Sequence, residues 1–292
     1  DVTGYTNPKE SAHDIFKVGH TSTSISLSLG LAIGRDRQNE KYNVIAIIGD
    51  GALSGGEALE GLDTAGEYKN NFIIVLNDNE QSIAENHGGI YKNLKELRES
   101  NGTCQNNIFT SFGLDYRYLD DGHDIEKLIS LFESVKDINH PIVLHIHTIK
   151  GKGLKYAEEN RESWHSGGPF NVLDGTRPYP SNNENVVFNC LKDLLDNDKK
   201  AVVVNAATPM GLGFVKGVRE EYVKRGQFLD VGIAEESAVA ICSGLAKSGA
   251  TAVFGTFAPF YQRTYDQISH DLCLNDNPAT MLVLSPGVYG MN

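Results

Sequence analysis

The sequence predicts two consecutive α/β domains, each built on a parallel sheet. Three observations support this. Short, unbroken β-branched runs alternate with amphipathic stretches through both halves of the chain. Strands buried on both faces read as such continuous runs, and their alternation with helices implies parallel crossovers. Residues 166–185 change character, with Gly167-Gly168-Pro169, Pro178, Pro180 and Ser181-Asn182-Asn183. That is turn and linker chemistry. The reading is therefore a first domain over 1–165, a linker over 166–185 and a second domain over 186–292. A chain of 292 residues is long enough for two sizeable cores.

In order, 20–37 reads as a helix that packs Ile25, Leu27, Leu29, Leu31 and Ile33 among small residues. Val44-Ile45-Ala46-Ile47-Ile48 is a strand. Residues 55–68 are a helix with Ala58, Leu59, Leu62 and Ala65 along one stripe. Phe72-Ile73-Ile74-Val75-Leu76 is the next strand. Residues 86–104 read as irregular and polar, 106–112 as helical, 114–119 as a strand, 124–136 as a helix and 141–147 as a buried strand. In the second half, strands are expected at 201–204, 228–231, 251–254 and 281–284. Helices are expected at 214–224, 235–247 and 260–274.

Both early strands run into polar clusters, Gly49-Asp50-Gly51-Ala52 and Asn77-Asp78-Asn79. Ligands of open parallel sheets bind at such carboxyl ends. Asp50 offers a carboxylate oxygen and Asn79 an amide oxygen, hard donors suited to Mg²⁺ with phosphate oxygens completing the shell. Gly51 lets the backbone approach a diphosphate closely, and the Gly51-Ala52 amides precede a helix whose N-terminus attracts anions. Gly-Asp-Gly alone is a weak signal; two strand-terminal clusters separated by a whole helix are a stronger one.

These clusters, with Gly19-His20-Thr21-Ser22-Thr23-Ser24, Ile48-Gly49-Asp50-Gly51-Ala52-Leu53-Ser54-Gly55-Gly56 and Leu76-Asn77-Asp78-Asn79-Glu80-Gln81-Ser82-Ile83, resemble the 1-deoxy-D-xylulose-5-phosphate synthase family. That family is a transketolase relative dependent on thiamine diphosphate. Lys150-Gly151-Lys152-Gly153, Gly232-Ile233-Ala234-Glu235-Glu236 and Gln262-Arg263-Thr264-Tyr265-Asp266-Gln267 continue the likeness in family order. The resemblance implies two thiamine-diphosphate-binding domains, one for the diphosphate and Mg²⁺ and one for the aminopyrimidine. It also implies decarboxylative condensation of pyruvate with glyceraldehyde 3-phosphate to 1-deoxy-D-xylulose 5-phosphate, a precursor of isoprenoids and thiamine. Asp50, Asn79 and the Gln81 carbonyl would hold the metal. Gly19, His20, Thr21, Gly51, Ala52, Asn79, Lys150, Glu235 and Phe260 would contact the cofactor. Glu235 would be the acid at the pyrimidine ring nitrogen, and in a poorly solvated cleft its pKa would be raised. Its bland alternative is a first-turn acid complementing the helix dipole. His165, beside Trp164, would lie at the active site.

Both substrates are anionic, so an acidic protein needs local positive charge at its site. Arg263 is the candidate, since a guanidinium holds carboxylate or phosphate bidentately; the alternative is a surface arginine paired with Asp266. Phe257 would line the substrate pocket, with core packing as its simpler explanation. His145 and His147 share one strand face, and packing explains them better than metal binding.

The net charge of −12 and the absence of a basic stripe disfavour nucleic acid. No apolar run approaches a membrane span, and the N-terminus lacks a signal pattern. Four scattered cysteines suit a reducing cytoplasm. The family also implies a homodimer. Several positions depart from its pattern: Ser237 stands for a histidine, Leu154 and Phe257 for tyrosines, and Gln81 for a methionine. The family's N-terminal histidine segment and third domain have no counterpart in the sequence, so weak cofactor binding and poor turnover are expected of these residues alone. The rival readings are a transketolase-type ketol transfer, including a split subunit, or a catalytically incomplete cofactor-binding module. A nucleotide-binding α/β protein is disfavoured by the lack of a Gly-Lys-Ser/Thr loop.

Overall fold

The β-branched runs form strands and the amphipathic stretches form helices in a computed structural model that describes residues 4–166, 169–177 and 186–285. The chain divides into two units, Ser22–Ser181 and a second that joins Asp1–Thr21 to Asn182–Asn292. The first 21 residues, expected with the first half, thus cluster with the second. His20 shows why, with its Nε2 3.1 Å from the Pro259 carbonyl oxygen. Of the expected linker, residues 167–168 and 178–185 lie outside the described residues, as do 286–292 at the far end.

In the Ser22–Ser181 unit, β1 (Ile45–Gly49), β2 (Phe72–Asp78), β3 (Asp115–Leu119) and β4 (Pro141–His147) form a parallel sheet in the order β1-β2-β4-β3. Side chains alternate across β2, and each face has its own core. Phe72, Ile74 and Leu76 pack with Ile25 and Leu29 of α1 (Ser24–Arg37), and with Ala58 and Leu62 of α2 (Gly56–Gly66). Ile73 and Val75 join Ile142, Leu144 and Ile146, covered by Leu128, Leu131 and Phe132 of α5 (Ile125–Glu133). Burial of these aliphatic side chains, roughly 1.5–3 kcal/mol each, fixes which ends of the strands project together.

The stretch 86–104, read as irregular, contains a helix, α3 (Gly89–Glu99). Its apolar stripe is narrow: Leu94 and Leu97 are fully buried, with Ile90 and Tyr91 packed against the same core. Lysine, glutamate and asparagine fill the rest of its surface, which hides the period. The short helices α4 (Ile108–Ser111) and α6 (Lys155–Glu159) complete this unit.

The second unit repeats the architecture, with β5 (Ala201–Asn205), β6 (Phe228–Asp230), β7 (Thr251–Phe257) and β8 (Thr280–Leu284) parallel in the order β6-β5-β7-β8. A helix not expected from the sequence, α7 (Val186–Asn197), packs Leu191 and Leu195 into this core. The helix expected over 214–224 starts later, as α8 (Val218–Lys224), because Gly213 and Gly217 both take positive φ. α9 (Glu235–Lys247) falls where expected. The expected helix over 260–274 is a succession of 3₁₀, α and π turns instead. Among the described residues, no helix is long and apolar enough to cross a membrane.

Arg35 ties α1 to the rest of its unit from a site only 3% exposed. Its guanidinium donates to the Tyr42 and Asn71 carbonyls at 2.7 and 2.9 Å and to the Tyr68 hydroxyl at 3.2 Å, and it pairs with Asp36 at 2.8 Å. Arg35→Met strands these acceptors, so it should lower the unfolding free energy by about 3–5 kcal/mol. Urea denaturation followed by circular dichroism measures the loss.

Candidate functional site

Parallel pairing in register, Gly49 against Asn77, brings the ends of β1 and β2 side by side. Asp50 follows directly, its backbone N–H donating to the Asn77 carbonyl at 3.2 Å. The Asp50 carboxylate is 1% exposed and accepts from Asn86 Nδ2 at 2.6 Å. Burial and the neighbouring Asp78 charge push its pKa up to about 7, against the opposing pull of the Gly51 and Asn79 amides. The contact between Asp50 and Asn79 is therefore made through the Asn79 backbone amide. The Asn79 side-chain oxygen also accepts from the Gln81 N–H at 3.1 Å, folding the following loop back on the cluster.

Asp78, at the end of β2, has no exposure. It accepts from Arg98 of α3 and from His145 Nε2 at 2.8 Å. Burial alone would raise its pKa, but His145 and Arg98 outweigh that and hold it at about 2. His145 is itself fully buried, which lowers its pKa although Asp78 opposes the shift. Its Nδ1 lies 2.7 Å from the Tyr116 hydroxyl. Burial raises the Tyr116 pKa and keeps its proton in place. Tyr116 must then donate to Nδ1, leaving Nε2–H to donate to Asp78. Arg98 also bridges to Glu80 at 3.1 Å, and Glu80 meets His147 at 3.3 Å.

The loop over the cluster leaves no room for a side chain at Gly51, where a Cβ would lie 2.5 Å from Ser82 Cβ and 2.8 Å from its Cα. Lys150, just beyond β4, donates to the Ser82 carbonyl and lies 2.9 Å from His165 Nδ1. Burial lowers the pKa of Lys150. Burial and then the Lys150 charge lower that of His165. Among the described residues of this unit, Thr23 Oγ1, Ser24 Oγ and Asn86 Oδ1 are buried without a hydrogen-bond partner. Such groups cost about 1–3 kcal/mol each when left unpaired, which marks where a polar ligand fits.

In the second unit Glu235 opens α9 with 3% exposure. Burial pushes its pKa up to about 7, with its own backbone amide and Arg263 pulling the other way. Its Oε2 is buried and accepts no hydrogen bond. Arg263 reaches to 3.8 Å from this atom and 3.9 Å from Glu236, and donates to the Thr21 carbonyl at 2.8 Å. The alternative partner Asp266 lies instead 3.6 Å from His270. His20 meets Phe260 edge-on, with ring centroids 6.3 Å apart, and Phe260 meets Phe257 the same way at 6.1 Å.

The residues expected at the site thus form two groups, each within one unit. Asp50, Gly51, Ala52, Asn79, Gln81, Lys150 and His165 lie in the first. Gly19, His20, Thr21, Glu235, Phe257, Phe260 and Arg263 lie in the second. Sequence reasoning gave no role to Asp78, Arg98 or Asn86, and it read His145 as packing. Asp78 stood in the strand-end cluster and signalled itself; Arg98 and Asn86 sit in the stretch taken as irregular and gave no local sign.

Paired parallel α/β units with a carboxylate and amide at adjacent strand ends, and a buried glutamate opening a helix, define a transketolase-like chain. Residues 182–292 match the family profile described as transketolase, pyrimidine binding domain. Residues 1–106 and 100–148 match the one described as 1-deoxy-D-xylulose-5-phosphate synthase, and the chain belongs to that family. Curated relatives carrying that name include one from Clostridium beijerinckii, 37% identical over 326 residues, covering 99% of this chain and 52% of the relative. Another, from Symbiobacterium thermophilum, is 36% identical over 319 residues, covering 97% and 49%. The chain spans about half the length of the curated relatives it matches. Among solved structures, a transketolase from Leishmania mexicana is 14% identical with a TM-score of 0.40, covering 91% of this chain and 52% of that one.

Glu235 binds its proton more tightly folded, at about 7, than unfolded, near 4.5. As pH rises between these values the unfolded chain ionises first, and stability falls. Glu235→Gln removes that loss, so it should gain up to about 3 kcal/mol at pH 8 and nothing at pH 4. Urea unfolding at the two pH values gives the comparison. At the other group, Gly51→Ala drives a methyl into Ser82 and should cost about 1–3 kcal/mol, visible as a lowered urea midpoint.

Proposed function

We propose that this chain carries the thiamine diphosphate and Mg²⁺ centre of an enzyme that condenses pyruvate with glyceraldehyde 3-phosphate. Carbon dioxide is released and 1-deoxy-D-xylulose 5-phosphate forms. The observation that carries the reading is the Asp50 carboxylate, buried at the end of β1 beside Asp78 and within reach of the Gly51 and Asn79 backbone amides, over a loop whose glycine admits no side chain. The residues fit the absent groups. A buried Asp50 carboxylate beside an ionised Asp78 is costly alone, and a divalent cation removes that cost. Asp50, the Asn79 amide oxygen and the Gln81 carbonyl supply hard oxygen donors for Mg²⁺.

In this reading Gly51 and Ala52 bring backbone amides to the diphosphate, while the unpaired Thr23 and Ser24 hydroxyls gain partners. Lys150 adds positive charge, with Gly19, His20 and Thr21 as further contacts and Phe260 as an apolar one. The 1–165 part is assigned the diphosphate, and the part after the 166–185 linker the aminopyrimidine. When bound, the cofactor supplies a nucleophilic carbon that also serves as an electron sink. Glu235, with its raised pKa and open Oε2, shares a proton with the pyrimidine ring nitrogen. His165, held at Nδ1 by Lys150, keeps Nε2 available for proton exchange with the substrate. Arg263 and Phe257 are assigned to the substrate side. A homodimer in the cytoplasm completes the proposal.

Calorimetric titration of the chain with thiamine diphosphate in the presence of Mg²⁺ tests it. Saturable binding is expected, weakened at least about a hundredfold by Asp50→Ala or Asn79→Ala, since each removes a metal ligand that must be replaced by water. Equal binding by the wild-type chain and both variants would refute the reading.

A further inference from the structure

A recess in the Ser22–Ser181 unit lies beside His165. It is a cavity of about 240 Å³, with Leu154, Trp164 and Phe170 on its apolar side and His165 and Arg177 on its polar side. This is below the roughly 300–1,000 Å³ of sites for drug-sized ligands, so its occupant is small.

The wall is built around Trp164. Phe170 meets its ring edge-on at 4.8 Å, and Tyr156 stacks on it at 6.0 Å. Tyr156 in turn donates to the Leu173 carbonyl at 2.6 Å. The returning chain presses against the same ring: a Cβ on Gly175, at φ +72, would lie 2.8 Å from Tyr156 Cγ. The turn thereby delivers Arg177, whose guanidinium carbon sits 4.5 Å from the Trp164 ring centroid. Stacking and one hydrogen bond, from Nη2 to the Ser163 carbonyl at 2.9 Å, hold the guanidinium in place. Among the described residues, Nε and Nη1 have no hydrogen-bond partner and no carboxylate pairs with Arg177.

That is unusual in a chain where 38 acidic residues outnumber 26 basic ones. An arginine stacked on an aromatic ring, with donors to spare and no counter-ion, is a preorganised fork for a planar or tetrahedral anion. His165 lies on the same cavity with its Nδ1 occupied by Lys150, and no acidic side chain lines the wall. Charge and size together select a compact anion over an apolar or cationic ligand.

We propose that Arg177 and Trp164 form a subsite for a small carboxylate or phosphate anion. On the function proposed above, to which this assignment is tied, the occupant is the charged end of a substrate beside His165.

Trp164 is the only tryptophan of the chain, so its emission reports directly on this cavity. The full chain, without thiamine diphosphate or Mg²⁺, is titrated with pyruvate and separately with inorganic phosphate, against chloride at matched ionic strength. A saturable emission change is expected with at least one anion and none with chloride. Saturation by pyruvate alone assigns a carboxylate, and by phosphate alone a phosphate ester. Arg177→Gln should raise the midpoint at least about tenfold. Arg177→Lys, which keeps the charge and loses the fork, should give a smaller rise. Circular dichroism checks that both variants are folded. If neither anion changes the emission, or if Arg177→Gln titrates like the wild type, the subsite is overturned. Because cofactor is absent, the subsite can stand while the cofactor titration fails, which would withdraw only the substrate assignment, and the converse also holds.

Discussion

Two carboxylates, Asp50 and Asp78, are buried side by side at the ends of neighbouring strands, and only one of them is compensated. Two like charges out of water cannot both be stable without cations. Arg98 and His145 settle the matter for Asp78, which stays ionised. Asp50 accepts from an amide side chain and backbone N–H groups, and burial and the Asp78 charge raise its proton affinity. The rest of the unit can be understood as support for this arrangement. α3 is needed to deliver Arg98, β4 to deliver His145, and β3 to deliver Tyr116. The sheet order puts β4 between β2 and β3, so the imidazole can bridge Asp78 on one side and Tyr116 on the other.

The second unit solves a related problem differently. Glu235 is nearly as buried as Asp50, yet the nearest guanidinium, Arg263, stops at 3.8 Å and divides itself between Glu236 and the Thr21 carbonyl. The carboxyl therefore remains close to half-protonated near neutrality, the condition a group needs to give and recover a proton. A tight, bidentate arginine would have fixed it as an anion. The segment before residue 22 contributes here, engaging Arg263 through the Thr21 carbonyl and the Pro259 carbonyl through His20.

The strands were legible because unbroken runs such as 72–76 have little other physical meaning, and the strand-end residues Asp50 and Asn79 were legible because polarity stops those runs abruptly. α3 was not legible. Its buried stripe is Leu94 and Leu97 with two half-buried neighbours, too narrow to stand out from a surface of lysine, glutamate and asparagine. Missing the helix meant missing Arg98, and with it the reason Asp78 can be buried at all. The 260–274 stretch failed in the opposite way: its composition suits a helix, but hydrogen bonding drifts from 3₁₀ through α to π. Arg263 was singled out from its motif, while its carboxylate neighbours come from a helix some thirty residues earlier and left no local trace.

The hydroxyl on Tyr116 occupies the imidazole nitrogen that Asp78 leaves bare of hydrogen, two hydrogen bonds removed from any charge. Exchanging it for a bare ring would subtract no ionic partner and little volume. It would nonetheless leave the Nδ1 lone pair of His145 without its donor, while the Asp78 carboxylate, able only to accept, still requires hydrogen on Nε2. A half-buried phenol on the sheet's edge strand thus completes the polar interior, and phenylalanine, so often a harmless stand-in for tyrosine, would here leave an imidazole nitrogen with nothing to accept from.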